Sequence, residues 1–177
     1  MNKKLLVGTS TALLIILVVL FFATNRSNGP KLSGNERARL ENLVKQQDEK
    51  LAVNKNDMSA YFDKAEYQRE LGDTKASLAT LNQAYNVNTS WKSNPDFMLL
   101  EARIYGQIST SDGIRRYEDL INANPVNEDY YREYINFLKQ HNQPNEKIIE
   151  YYDKAIVNIK DTTLEKEKRI YLEESAS

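Results

Sequence analysis

Residues 127–159, NEDYYREYINFLKQHNQPNEKIIEYYDKAIVNI, contain two apolar stripes separated by a short polar turn. The apolar positions recur at intervals of three, four and seven residues, which is the spacing of one face of an α-helix. Pro144 lies in the turn at 141–145, where it interrupts neither stripe. The stretch therefore predicts a helix, a turn and a second helix whose apolar faces pack together. The stripes are Tyr131, Tyr134, Ile135 and Leu138, and then Ile148, Tyr152, Ala155 and Ile159.

The helical spacing continues upstream to residue 36, and no segment alternates as a strand would. Gly72 and Asp73 separate two predicted helices, with Asp73 in the N-cap position. Pro95 lies in the first turn of another, where proline is tolerated. Ser33 stands three residues before Glu36, which is the spacing of a capping box. Together these signals predict an all-α domain over residues 35–174.

The predicted helices come in pairs that repeat along the chain. Tyr61, Phe97 and Tyr131 open the first helix of three successive pairs and are 36 and 34 residues apart. A second set of matching positions lies in the second helices, 36 and 35 residues apart: Ala84, Leu120 and Ala155. A fixed period of this length is typical of proteins built from stacked helical repeats.

This arrangement resembles the tetratricopeptide repeat (TPR) family, whose unit is 34 residues of helix, turn and helix. The turn Leu71-Gly72-Asp73 and residues 150–156 (EYYDKAI) match the family pattern well, whereas Glu101 stands where a small residue is expected. The resemblance implies a short right-handed α-solenoid of about seven helices. Repeats would span 58–90, 94–125 and 127–160, between capping helices at 36–53 and 162–174. The second cap would begin with a capping box formed by Thr162 and Glu165.

The resemblance also implies a binding surface on the concave side, lined by the first helix of each pair. Some family members hold a peptide's terminal carboxylate there with Lys, Asn and Arg from several repeats. Only the third repeat has such a set here, so we expect a mixed apolar and polar groove for a helix or an extended segment. The alternative is that these are ordinary exposed residues. The groove positions are Phe62, Glu66, Arg69, Met98, Ala102, Tyr105, Arg132, Asn136 and Lys139.

The N-terminal region is interpreted as a membrane anchor. Residues 1–4 form a short basic tail, and residues 5–23 carry no charged side chain. A helix of that length rises about 28 Å, close to the ~30 Å hydrocarbon core of a bilayer. A cleaved signal peptide is the alternative, but the candidate site Phe21-Phe22-Ala23 has a bulky residue where a small one is needed. Residues 24–34, rich in Asn, Ser and Gly, would form a flexible linker.

The basic residues that flank the predicted anchor bear on its orientation. Lys3 and Lys4 favour an N-terminus inside the cell, which would place the helical domain on the extracytoplasmic side, periplasmic or extracellular. Four basic residues that follow the anchor oppose this orientation: Arg26, Lys31, Arg37 and Arg39. We expect the extracytoplasmic location.

Composition and motifs give no support for catalysis, metal binding or nucleic-acid binding. The net charge of −1 lacks the basic excess that neutralises phosphates. The absence of cysteine excludes disulfides and thiolate metal sites. The single histidine, His141, lies in a polar turn, and no phosphate-binding, zinc-protease or nucleophile-elbow motif occurs. We therefore expect no enzymatic activity, no cofactor and no metal.

The expected function is a membrane-anchored interaction module that binds a protein or peptide in the concave groove. Such a module would act as an adaptor, scaffold or assembly factor at a cell-envelope membrane. Two alternatives remain open. One is a structural protein that forms a homo-oligomer, and the other is an exported helical-repeat enzyme that acts on the envelope.

Overall fold

The computed structural model describes residues 31–175, which are helical over most of their length. No strand occurs among these residues, so the all-α class is confirmed. They form eight α-helices rather than about seven, and a 3-10 turn at Thr89–Ser93 lies between α3 and α4. The helices are α1 (Gly34–Val53), α2 (Met58–Glu70), α3 (Thr74–Val87), α4 (Pro95–Ile108), α5 (Thr110–Ala123), α6 (Glu128–Gln140), α7 (Asn145–Ile159) and α8 (Thr162–Ser175).

The predicted basic tail, membrane anchor and most of the linker lie outside the described residues. Within residues 31–175, none of the helices combines the length and the apolar character needed to cross a membrane.

Short polar side chains begin the helices where the sequence predicts it. The Ser33 hydroxyl accepts a hydrogen bond of 3.2 Å from the Glu36 amide, and the Glu36 carboxylate accepts one of 2.9 Å from the Ser33 amide. This reciprocal pair is the predicted capping box. The Asp73 carboxylate accepts from the Ala76 amide at 2.9 Å and so caps α3. These caps satisfy backbone donors that have no partner inside the helix.

The predicted capping box of α8 is wrong. Thr162 is already the first helical residue, and the Asp161 carboxylate accepts the amide of Thr163 at 2.7 Å. An aspartate at the N-cap is at least as favourable as a threonine, so the chain uses the residue one position earlier.

The turn between α2 and α3 depends on glycine. Gly72 has a φ of 79°, a left-handed conformation that residues with a Cβ adopt at a cost. In this conformation the Gly72 amide donates to the Arg69 carbonyl and the Asp73 amide to the Gln68 carbonyl, each at 2.9 Å. The turn thus ends α2 and positions Asp73 to begin α3.

Each helix packs on the helix next to it in the chain, and the contact between α4 and α5 is the most extensive. Only Ser109 joins these two helices. A Cβ on Gly113 of α5 would lie 2.6 Å from the Cα of Gly106 in α4, so the two backbones approach closely. The Phe137 ring of α6 covers this crossing, because a Cβ on Gly106 would lie 2.6 Å from its Cε2 atom.

Two apolar clusters form the core and contain most of the predicted stripes. The first lies among α2, α3 and α4 and includes Phe97, whose ring centroid is 6.0 Å from that of Trp91 in the 3-10 turn. The second extends from α4 to α8 and includes Tyr131 and Tyr134. Ile108 is 52% exposed, because α4 ends at that residue.

Candidate binding surface

Charged side chains of α2, α4 and α6 meet in a continuous row. The Glu66 carboxylate accepts two hydrogen bonds from Arg69, at 2.8 and 2.7 Å. Arg103 Nη1 lies 3.8 Å from Glu66 Oε1, and Arg103 also donates bonds of 2.6 and 2.7 Å to the Glu133 carboxylate. We call Arg69, Glu66, Arg103 and Glu133 the charge ladder.

The charge ladder pairs opposite charges and carries no net charge. Two arginines face two glutamates, and two of the contacts are bidentate, a geometry that fixes orientation as well as contributing energy. The hydrogen bond to Glu133 raises the pKa of the Arg103 guanidinium. Tyr117 of α5 donates to Glu133 at 3.0 Å, and its burial together with the Glu133 charge raises the pKa of the Tyr117 hydroxyl. Arg103 therefore keeps its charge and Tyr117 its hydroxyl proton at physiological pH.

A groove of about 340 Å³ lies between α6 and α8, with one residue of α7 at its edge. We call it the C-terminal groove. It combines isoleucine and tyrosine side chains with amide, ammonium and carboxylate groups, so its character is mixed. Its lining consists of Arg132, Ile135, Asn136, Lys139, Tyr152, Glu167, Ile170, Tyr171 and Glu174.

The two basic residues of the C-terminal groove have different surroundings. Arg132 forms ion pairs with Glu128 of its own helix and with Glu167 of α8. Lys139 donates a hydrogen bond of 2.9 Å to the Tyr152 hydroxyl, and its Nζ lies 4.6 Å from the centroid of the Tyr171 ring. The latter distance is suitable for a cation–π interaction. Arg132 thus contacts carboxylates, while the contacts of Lys139 are with tyrosines.

The structure brings five of the nine predicted groove residues into these two features. Glu66 and Arg69 belong to the charge ladder. The three residues predicted from the third repeat all line the C-terminal groove, and Asn136 is exposed there.

Three predicted residues lie elsewhere on α2 and α4, and one is not at the surface. Phe62 is half-buried, with its ring 5.7 Å from that of Phe97. Met98 packs against the core, and the Tyr105 ring lies 4.7 Å from the Arg116 guanidinium. Ala102 has no exposed surface and belongs to the core, so it cannot contact a partner.

Sequence reasoning missed Arg103 and Glu133, which form half of the charge ladder. Of the three positions predicted on α4, the middle one was Ala102, one residue before Arg103, and adjacent residues of a helix point about 100° apart. When the repeats are aligned on their large aromatic residues, the predicted surface positions of α4 are one residue out of register with those of α2. Glu66 and Arg103 carry opposite charges and lie in the first helices of two successive pairs. This charge pattern could have predicted their contact from the sequence.

Glu101 occupies the position where the family pattern has a small residue, and it forms a polar contact inside the fold. Its Oε2 lies 3.6 Å from Nη1 of Arg116 in α5. Burial raises the pKa of the Glu101 carboxyl, and the charge of Arg116 offsets part of that effect. The departure from the pattern thus places a partly desolvated ion pair between α4 and α5.

The remaining titratable groups form no recognisable reaction centre in the part of the chain that the structure describes. The His141 ring centroid lies 4.3 Å from that of Phe137, with the rings tilted by 42°, and its Nδ1 lies 3.1 Å from the Thr110 hydroxyl. No group of three or more His, Cys, Asp or Glu side chains within 31–175 is arranged to hold a metal ion.

Comparison of the chain with protein-family models, with curated proteins and with solved structures found no match. The charge ladder and the C-terminal groove are therefore the features that bear on the function of this chain.

Proposed function

We propose that this chain is a membrane-anchored protein–protein interaction module with a short right-handed α-solenoid of the TPR kind. The partner binds to the face formed by α2, α4 and α6, the first helices of the three pairs. The observation that carries the proposal is the charge ladder, because it joins side chains of these three helices directly. Direct contact between alternate helices is what stacked helix pairs produce when their first helices share one side.

The charge ladder serves as a fixed platform rather than as a clamp for a charged ligand. Arg69, Glu66, Arg103 and Glu133 already satisfy one another, so a charged partner would have to break an existing ion pair to bind them. Breaking a partly desolvated pair leaves the remaining charge without compensation, which is unfavourable. The ladder thus favours a partner that covers it without competing for its charges.

The C-terminal groove supplies the specific contacts. Tyrosine is enriched at protein interfaces because it offers a large apolar surface and a polar tip, and Tyr152 and Tyr171 both line this groove. Asn136 is exposed and offers both a donor and an acceptor. The volume of about 340 Å³ suits a few side chains of a helix or an extended segment.

Anchoring would concentrate this surface near partners of the same membrane. If residues 5–23 span the bilayer, the domain stays within the reach of a short linker, and its effective concentration toward membrane-bound partners rises without new contacts. An adaptor, scaffold or assembly factor on the extracytoplasmic side fits this arrangement. Neither a catalytic step nor a cofactor is part of the proposal.

Site-specific photo-crosslinking in the native membrane tests the proposal. A photo-reactive residue at Asn136 or Phe62 should capture one defined protein, and the same residue at the exposed Asn82 of α3 should not. The captured protein, once purified, should bind the chain, and Asn136→Trp should weaken that binding at least tenfold. Capture of the chain itself would favour the homo-oligomer. Capture that is equal at all three positions would contradict the assignment of the face.

A further inference from the structure

The C-terminal helix α8 is attached to the domain mainly by polar contacts. Leu164 is its only fully buried residue, whereas α6 buries six. Other attachments include the ion pair of Glu167 with Arg132, that of Lys168 with Asp153 at 2.6 Å, a hydrogen bond from the Tyr171 hydroxyl to Asn145, and the packing of the Tyr171 ring on Lys139 and Tyr152.

Such contacts hold a terminal helix weakly. Ion pairs with partly exposed side chains contribute about 0–1 kcal/mol each, because water and salt screen them. Apolar burial dominates the stability of a helix in a domain, and segments with few buried apolar groups open locally at low free-energy cost. The single buried leucine at the start of α8 therefore leaves most of the helix free to detach without unfolding of the rest.

The side chains that attach α8 share one face of the helix. Leu164, Glu167 and Tyr171 stand at positions i, i+3 and i+7, which lie on one side of a helix. Leu164 enters the core, Glu167 pairs with Arg132, and Tyr171 lies against Lys139 and Tyr152. This is the pattern by which an amphipathic helix binds in a groove.

We propose that α8 is a displaceable internal ligand of the surface formed by α6 and α7. The external ligand of the same surface is an amphipathic helix of a partner protein, with an apolar, an acidic and an aromatic residue at i, i+3 and i+7. The inference rests on the proposed function only in taking the α6 and α7 side of the C-terminal groove as the binding site, since α8 provides the other side. The inference adds the class of the partner, an amphipathic helix. It also identifies α8 as a competitor that lowers the affinity of the domain for that partner.

The competition follows from tethering. Because α8 is joined to α7 through Lys160 and Asp161 alone, its effective concentration at the groove is high, on the order of millimolar or more. A free helix of equal intrinsic affinity therefore binds poorly until α8 is weakened. Changes in α8 that loosen it should raise the affinity for an external helix.

Hydrogen exchange in the full-length protein tests the detachment. Backbone amides of α8 beyond Glu167 should exchange at least tenfold faster than amides in the middle of α6 and α7. Equal protection of the three helices would overturn the proposal, because α8 would then open only when the domain unfolds.

A synthetic peptide with the sequence of residues 161–175, carrying a fluorescent label, tests the shared surface. Its affinity for the full-length Glu167→Lys variant should exceed its affinity for the unmodified chain at least tenfold, because the lysine repels Arg132. Glu173→Lys makes the same charge change at a side chain that is 71% exposed, and should leave the affinity unchanged. Tyr171→Ala provides a second weakened variant if Glu167→Lys fails to fold.

The same substitution within the peptide completes the test. A peptide with lysine at the position of Glu167 should lose binding to the weakened chain. Equal binding of the peptide to all variants, or no binding to either weakened one, would overturn the proposal. Because this experiment uses no external protein, its failure leaves the crosslinking test of the proposed function intact.

Discussion

Replacing Gly113 by alanine should destabilise the domain by about 1–2 kcal/mol. The new Cβ would lie 2.6 Å from the Gly106 Cα and 2.7 Å from Cζ of Phe137. Carbon atoms in favourable contact are about 3.5–4.0 Å apart, so α4 and α5 must separate by about 1 Å. Because only Ser109 joins the two helices, the connection between them is too short to accommodate that movement easily.

The expected magnitude combines two opposing effects. Adding a methyl group to a well-packed site costs about 1–3 kcal/mol, and contact with a backbone atom places Gly113 toward the upper end. Alanine has a higher helix propensity than glycine, and this difference stabilises the folded state by about 1 kcal/mol. The difference gives the predicted loss, which would lower the melting temperature by about 2–4 °C per kcal/mol in a protein of this size.

Urea denaturation of the full-length chain, followed by far-ultraviolet circular dichroism, measures the effect. Gly106→Ala is the informative comparison, since the three atoms nearest to its Cβ would all belong to the Phe137 ring. A Phe137→Leu background should therefore remove the additional cost of Gly106→Ala but only part of that of Gly113→Ala. Gly34→Ala, with no atom within 4 Å of the new Cβ, should change stability by less than about 0.5 kcal/mol. Full rescue of Gly113→Ala by Phe137→Leu would refute the close backbone approach.

Three further predictions concern single residues. Gly72→Ala should cost about 1 kcal/mol in the same denaturation assay, because a Cβ is unfavourable at a φ of 79°. Arg103→Met should cost about 1–2 kcal/mol through loss of the bidentate contact with Glu133, whereas Arg115→Met, whose side chain is 64% exposed, should cost less than about 0.5 kcal/mol. Burial raises the pKa of Glu101 above its ordinary value of 4.5, so the folded state takes up that proton at a higher pH than the unfolded chain. The contribution of Glu101 to stability should therefore increase as the pH falls through the raised pKa toward 4.5, and Glu101→Gln should remove that part of the pH dependence of the denaturation midpoint.

The helices were predictable because their signals are local. The Ser33 cap, the Gly72 turn and the apolar stripe of Tyr131 and Tyr134 each depend on residues within one or two helical turns, and the structure places all of them as expected. The boundary at Ser109 was not predicted, since a one-residue connection leaves no run of polar or turn-forming residues to mark it.

The surface was less predictable, because it depends on how helices distant in the sequence are rotated against each other. An error of one residue on α4 exchanged the partly exposed Arg103 for the buried Ala102. The predicted residues Arg132, Asn136 and Lys139 line one groove together, since they share a single helix and need only its own periodicity. The contacts of α8 with α6 and α7 could not be predicted locally. Its charged residues have the pattern of an ordinary solvent-exposed helix face, and their partners lie on helices distant in the sequence.

The packing of each helix on its neighbour in the chain has a consequence for how the protein is made. Contacts between segments close in sequence incur little loop-closure entropy, so folding is fast and can begin before synthesis ends. As the polypeptide emerges from the ribosome or a translocation channel, α1 can pair with α2 while the later helices are still absent, and the order of synthesis becomes the order of assembly. Among the described helices α8 is the last to arrive, and until it does, the surface of α6 and α7 is open to any helix that is already present.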